Sequence, residues 1–201
     1  MVAAVIAVVF AYALGTFPTG LLVAKREGHN VLDEGSGNPG ASNVYRVAGF
    51  RAGAVVLVGD ALKGGIAAGV GLALGRHMAI GGHALGLIVG IAAVVGHCFP
   101  IQRWGQGGKG VATAGGVGVV VFPFLAIALT AIWFLIARVL NKASLGSLAV
   151  LIAAPVIVAA LGRPAKEVAL LTALCLLVLA RHHANIRRLI KGEEGSLRSP
   201  A

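Results

Sequence analysis

Long apolar runs separated by short polar segments make up most of this chain. The runs cover residues 2–24, 53–75, 78–98, 111–140, 145–162 and 165–181. Each is close to, or beyond, the roughly 20 residues that carry an α-helix across a bilayer's hydrocarbon. Run 111–140 is too long for one simple crossing. At about 1.5 Å per residue it would reach about 45 Å as a single helix. It holds Pro123 between Phe122 and Phe124, after the glycine-rich stretch AGGVGVV. A proline ends one helix and suits the first turn of the next. The run is therefore predicted either as one kinked span or as two short ones, 111–121 and 123–140.

Charge decides between the two. Lys and Arg concentrate in the cytoplasmic loops of membrane proteins. Seven spans with the N-terminus outside place thirteen basic residues inside and three outside, with Lys63 inside a span. Six spans place eight on each side. The expected fold is all-α: a polytopic integral membrane protein of seven transmembrane helices, N-terminus outside and C-terminus cytoplasmic. Residues 1–201 form one domain, with a flexible tail from about residue 190. Segments 25–52, 99–110, 141–147 and 181–201 then face the cytoplasm, and the outer turns are minimal.

Composition agrees with a membrane protein. Hydrophobic residues are 58% of the chain and charged residues 12%, half the share of a typical soluble domain. The net charge of +10 lies in the short loops. It points to membrane orientation and anionic ligands, not to nucleic acid. The first run lacks a basic leader region, so a cleaved signal peptide is not expected. Cys98 and Cys175 stand apart in apolar runs and read as reduced packing residues. The six histidines and two cysteines show no metal-ligand spacing, and neither metal nor cofactor is expected. Gly82, Gly86 and Gly90 recur every fourth residue, a stripe for close helix packing.

The polar segments carry the candidate chemistry. In GSGNPGASN, Gly35 to Asn43, Gly37, Asn38 and Gly40 supply turn chemistry, and successive N–H groups can form an anion-binding nest. Ser36, Ser42 and Asn43 add hydrogen-bonding side chains, and Arg46 adds a planar fork suited to phosphate. In GQGGKG, Gly107, Gly108 and Gly110 surround Lys109 where a helix begins, a second phosphate cradle. It is not a nucleotide-binding P-loop, because Arg103 and Gly110 stand where Gly and Ser or Thr are required. In RHHANIRR, His182 and Asn185 share one helical face, while His183 points elsewhere and Arg187 and Arg188 read as surface anchors. Ser144 is an N-cap candidate, and Ser147, one turn on, either packs or faces the site. Asp60 and Lys63, three apart inside a span, read as an ion pair that props the site. His97 stands where it can support the 99–110 loop. Four cytoplasmic segments thus offer phosphate-binding groups. They favour a membrane enzyme acting on a phosphorylated substrate.

GSGNPGASN, GDALKG, GHCFP followed by GGKG, and RHHANIRRL resemble, in this order, the motifs of the bacterial acyl-phosphate:glycerol-3-phosphate acyltransferase family, PlsY. The resemblance covers nearly the whole chain. It departs at Ser42, where the family often has Thr, and at His183 and Ala184, where it often has charged residues. It implies transfer of a fatty acyl group from acyl phosphate to the sn-1 hydroxyl of glycerol 3-phosphate. The products would be lysophosphatidic acid and phosphate, made in the bacterial inner membrane. It also implies functional coupling to the enzyme that makes acyl phosphate. None of the six histidines is followed by the Asp of a His-x-x-x-x-Asp acyltransferase dyad, which agrees with a different mechanism. The implied site has His182, Lys109 and Ser36 as catalytic residues. The base is either His182 or a phosphate oxygen of bound substrate. The competing expectation is an organic-phosphate transporter, which the basic inner loops would serve equally well.

Overall fold

The computed structural model describes residues 1–197, and within them every regular element is helical. The chain runs through α1 (Val2–Gly15), α2 (Thr19–Arg26), α3 (Ala41–Gly75) and α4 (Gly82–Cys98). A single 3-10 turn, Ile101–Arg103, follows. Then come α5 (Val111–Val121), α6 (Pro123–Val139), α7 (Ala143–Ala160), α8 (Ala165–Ala180) and α9 (His183–Ile190).

Three helix boundaries differ from the apolar runs or refine them. The first run is broken at Pro18, which has no N–H to donate. The break exposes backbone carbonyls, and Lys63 Nζ reaches those of Phe17 at 2.9 Å and Gly15 at 3.5 Å. Helix α3 starts at Ala41, not at residue 53, and breaks at Gly49, where φ is +83°. The part before the break seats Val44 in a small apolar cluster with Ala24, Val31, Ala52 and Val56. That cluster, not length of apolar sequence, makes residues 41–48 helical. The third boundary is Phe122, which parts α5 from α6 as Pro123 led one to expect.

Close backbone approaches hold the bundle together. Helix α3 packs most extensively against α4 and α5. A β-carbon at Gly64 would collide with the carbonyl of Thr113, and one at Gly116 with that of Ala61. Gly82 and Gly86 face Leu72 and Ala68 of α3, and Gly90 faces Val117 of α5. Small residues let helix backbones meet where hydrophobic burial supplies no drive, as in lipid. The largest apolar cluster joins α4, α5, α7 and α8 through Leu87, Val94, Val117, Leu151, Leu174 and Val178. Cys98 and Cys175 lie within it as free, buried thiols.

By length and apolarity, four helical stretches among the described residues qualify as membrane spans: Val2–Arg26, Ala41–Gly75, Gly82–Arg103 and Ala143–Ala160. The pair α8 and α9, bent by 59°, adds a fifth if it is taken as one broken span. Helix α5 has only 11 residues, about 16 Å, half of the roughly 30 Å hydrocarbon.

The polar segments gather at one end. Residues of the 27–40 loop, the glycine loop and the α8–α9 turn line a common cavity there. Asn141 and Lys142 bond the C-terminal segment at that same end. At the opposite end Arg163 lies over Phe122, and Lys166 donates to the carbonyl of Ile80. The tail expected to be loose is bonded to the body as far as Leu197, whose N–H donates to Asn141 O at 2.7 Å. Residues 198–201 lie outside the described residues.

Candidate active site

Asn43 organises the first wall. It sits on the opening turn of α3 and is 2% exposed. Its Nδ2 donates to Val31 O at 3.2 Å and Glu34 O at 3.0 Å. Its Oδ1 accepts from Ser36 N at 2.8 Å and Arg46 Nη1 at 3.0 Å. These four bonds use the whole capacity of the amide. Asn43, expected to bind phosphate, has these bonds taken up in shaping the loop. Gly35 needs its φ of +61°, and a side chain there would strike Asn43. Asn38 Oδ1 accepts from Gly40 N at 2.9 Å, an Asx turn that leads into α3. Ser36, Gly37 and Asn38 line the cavity, and Ser42 does not. Arg46 is also outside the lining, half-buried beside it.

The glycine loop is fixed from both sides. Gly108 N donates to His97 O at 3.1 Å. Arg181 donates to Gly107 O at 3.0 Å and Gly108 O at 3.3 Å, with its guanidinium over the Phe99 ring. A side chain at Gly107 or Gly108 would collide with His97. Behind the loop, Lys63 Nζ contacts Asp60 Oδ1 at 2.7 Å and His97 Nδ1 at 3.2 Å. Lysine only donates, so His97 Nδ1 accepts, which leaves Nε2 carrying the proton toward Gly108. Asp60 and Lys63 are outside the cavity and act through this relay. Gly110, with φ +89°, turns the chain into α5 and delivers Lys109 to the cavity. Burial, with the nearby Arg188 as a smaller contribution, pulls the Lys109 ammonium down to about 8.

The third wall is the α8–α9 turn. His182, in the turn and 2% exposed, has Nδ1 at 2.7 Å from Val178 O. A carbonyl only accepts, so Nδ1 carries the proton and Nε2 the lone pair. Burial holds the imidazole neutral, down to about 4, against the raising effect of that bond. Asn185 is buried, and its Oδ1 has no partner among the described residues. Ser144 Oγ is likewise buried without a well-formed bond, beside the Glu194 carboxylate. The unpartnered Asn185 Oδ1, in a residue that lines the cavity, is suited to a ligand that brings a hydroxyl donor. Ser147 takes no part. Its hydroxyl accepts from Trp133 Nε1 at 3.0 Å and donates to Ala143 O at 3.1 Å, tying α7 to α6.

These walls enclose about 390 Å³. Arg181, Arg188, Gln106 and His183 also line the space. His183 thus borders the cavity, with its ring Nδ1 bonded to Ala180 O at 3.1 Å. The sequence showed Arg181 and Arg188 only as basic residues on one side of the membrane. The bend between α8 and α9 brings them onto the site. A second cavity, about 360 Å³ beside Arg76, His83 and Glu167, lies at the other end and holds none of the motif residues. No group of three or more His, Cys, Asp or Glu among the described residues is placed to hold a metal ion. The lining thus combines several cations, the Ser36 hydroxyl and the free Asn185 acceptor, while the neutral His182 imidazole is buried between the lining residues Arg181 and His183 and is not itself in the lining. Such a lining can bind an anionic, hydroxylated molecule.

Comparison with known proteins points the same way. The model of the family described as glycerol-3-phosphate acyltransferase matches residues 5–192. A glycerol-3-phosphate acyltransferase of Syntrophotalea carbinolica is 38% identical over 191 residues, covering 94% of this chain and 95% of its own length. That of Bacillus subtilis is 38% identical over 188 residues, covering 93% and 94%. The crystal structure of PlsY, an integral membrane glycerol 3-phosphate acyltransferase in its glycerol 3-phosphate form, has a TM-score of 0.89 to this chain. It is 34% identical and covers 96% of this chain and 94% of its own. Its lysophosphatidic acid form gives a TM-score of 0.86.

Proposed function

The chain belongs to the glycerol-3-phosphate acyltransferase family and is an acyltransferase; from that premise we propose that it transfers a fatty acyl group from acyl phosphate to the sn-1 hydroxyl of glycerol 3-phosphate. The products are lysophosphatidic acid and inorganic phosphate, made for phospholipid synthesis at the bacterial inner membrane. The observation that carries the reading is the convergence of Ser36, Lys109, Arg181, Asn185 and Arg188 on one cavity. Acyl phosphate already has a good leaving group. The enzyme's task is to hold two anions together and to stabilise the carbonyl oxygen as it becomes negative.

In this reading Lys109 and the glycine-loop N–H groups neutralise phosphate. The free Asn185 Oδ1 accepts a glycerol hydroxyl, and His182 Nε2 orients the attacking one. A phosphate monoester has a second pKa of about 6. Burial makes His182 a weak base in the free site, so this reading takes a substrate phosphate oxygen as the proton acceptor. The hydroxyl proton goes to that oxygen as the acyl–phosphate bond breaks. Ser36, on the opposite wall from Asn185, helps hold the acyl phosphate.

Purified protein in detergent, given palmitoyl phosphate and radiolabelled glycerol 3-phosphate, is expected to form lysophosphatidic acid and phosphate one to one. No product with palmitoyl phosphate would refute the reading. Product with palmitoyl-coenzyme A alone would move the donor to a thioester. An organic-phosphate transporter would instead carry the label into liposomes unchanged. Membership in an acyltransferase family removes the ground for that alternative.

We further propose seven crossings, with the N-terminus outside and this site facing the cytoplasm. Thirteen basic residues against three support it, as does the alternation of helix ends between the site and the Arg76–Glu167 end. With α5 half a bilayer long, the glycine loop lies below the membrane surface, within reach of an acyl chain. Single cysteines at Arg76 and Lys142 are expected to react with an impermeant maleimide only from outside and only from inside, respectively. The reverse pattern, or labelling of both from one side, would overturn the topology.

A further inference from the structure

One carboxylate lies among the cations of the site. The Glu194 side chain is 7% exposed. Its Oε1 accepts from Asn185 Nδ2 at 2.6 Å, and its Oε2 from Arg188 Nε at 2.8 Å. Ser144 stands beside it, and its charge acts on Lys109 and Arg46. The backbone of the same segment is held as well. Lys142 Nζ donates to Glu194 O at 3.0 Å, and Arg46 Nε to Ser196 O at 3.0 Å. Gly192, with φ +75°, turns the chain back after α9 so that it crosses the site.

This segment reads Gly-Glu-Glu-Gly-Ser-Leu. It has little apolar surface with which to pack. Its attachment is polar, and two of its partners, Asn185 and Arg188, line the cavity that the reading above gives to substrate. A carboxylate taking a guanidinium and an amide donor presents the same acceptor pattern as a phosphate edge. Two anions cannot share those donors. Glu194 also lies just beyond residue 192, where the family match ends.

We propose that the Glu194 carboxylate is a built-in competitor for the phosphate of glycerol 3-phosphate, and that residues 192–197 leave Asn185, Arg188 and Ser144 when substrate binds. The proposal rests on the functional reading above. Its consequence is thermodynamic: only the fraction of molecules with the segment released is competent, and apparent affinity falls by that fraction. A purely structural Glu194, bracing Asn185 and Arg188 in position, predicts the opposite sign. Removing its charge would then weaken substrate binding.

Full-length Glu194→Gln, assayed at saturating palmitoyl phosphate, is expected to lower KM for glycerol 3-phosphate by about three- to tenfold. Its kcat and its KM for palmitoyl phosphate should stay within about twofold, the mark of an altered competent fraction and not of altered chemistry. A chain ending at Lys191, checked for folding by gel filtration, should behave alike. An unchanged or raised KM for glycerol 3-phosphate in Glu194→Gln overturns the proposal. Calorimetric titration with glycerol 3-phosphate separates the two claims. Tighter binding to Glu194→Gln than to the unaltered protein upholds the competitor even if no acyl transfer occurs. Equal or weaker binding overturns it whatever the enzyme does.

Discussion

Lys109→Ala is expected to lower kcat/KM for glycerol 3-phosphate by roughly 10²–10³-fold, the cost of one buried donor aimed at developing or bound charge. The protein should stay folded. The glycine loop is held by backbone bonds to His97 and by Arg181, not by the Lys109 side chain. The pH profile gives a second reading of the same group. Burial places the free-site ammonium at about 8. Below that pH it is charged and binds phosphate; above it the charge is lost. Because kcat/KM reports the free enzyme, it should fall about tenfold per unit once pH passes the Lys109 value. Bound dianionic phosphate holds the proton on Lys109, so kcat should stay level over the same range. In Lys109→Arg the alkaline limb should disappear, since a guanidinium does not titrate there. Activity of Lys109→Ala within fivefold of the unaltered protein, or a flat kcat/KM from pH 7 to pH 10, would remove Lys109 from the phosphate site.

Much of the site was legible because its chemistry is local. Glycines around Lys109, and a histidine three residues from an asparagine, raise the expectation of phosphate handling within a few residues, and Gly107, Lys109 and Asn185 do line one cavity. Pro123 marked a helix break for the same reason: the missing N–H is a property of the residue. What the sequence could not show depends on partners distant in the chain. Asn43 and Ser147 are ordinary binding candidates until Val31, Glu34 and Trp133 are seen to consume their bonds. Arg181 reads as a membrane anchor until it is found on the carbonyls of Gly107 and Gly108. Hydropathy finds where chain can be buried, but it does not measure how straight a helix runs. So α2 and the first turns of α3 departed from the simple runs. The C-terminal segment was the least readable part. Its polar composition suits a loose tail equally well as a strap whose donors lie on other elements.

Asp60→Ala is expected to be the most destabilising single change in the chain. Asp60 and Lys63 are 2% and 4% exposed, and removing one member of such a pair leaves an uncompensated charge in a dry interior. The loss is expected at roughly 3–5 kcal/mol. For a chain of this size that corresponds to a fall in Tm of about 10 °C, read by thermal unfolding in detergent. The effect should extend to the site. Lys63 bridges the carbonyls exposed at the α1–α2 break to His97, and His97 in turn fixes Gly108. A lysine without its carboxylate is no longer held in that bridge, so KM for glycerol 3-phosphate should rise in whatever folded protein remains. The double substitution Asp60→Leu with Lys63→Met separates the two consequences. It removes both charges together, so most of the stability should return, as when buried pairs are exchanged for apolar residues. Activity should return only in part, because the His97 ring packed against Gly108 then has no Lys63 donor to orient it, although the backbone bond from Gly108 N to His97 O and the Arg181 bonds remain. A Tm for Asp60→Ala within about 2 °C of the unaltered protein would mean that water or another cation partner reaches this pair. Full activity in the double variant would mean that the glycine loop holds its shape without the relay behind it.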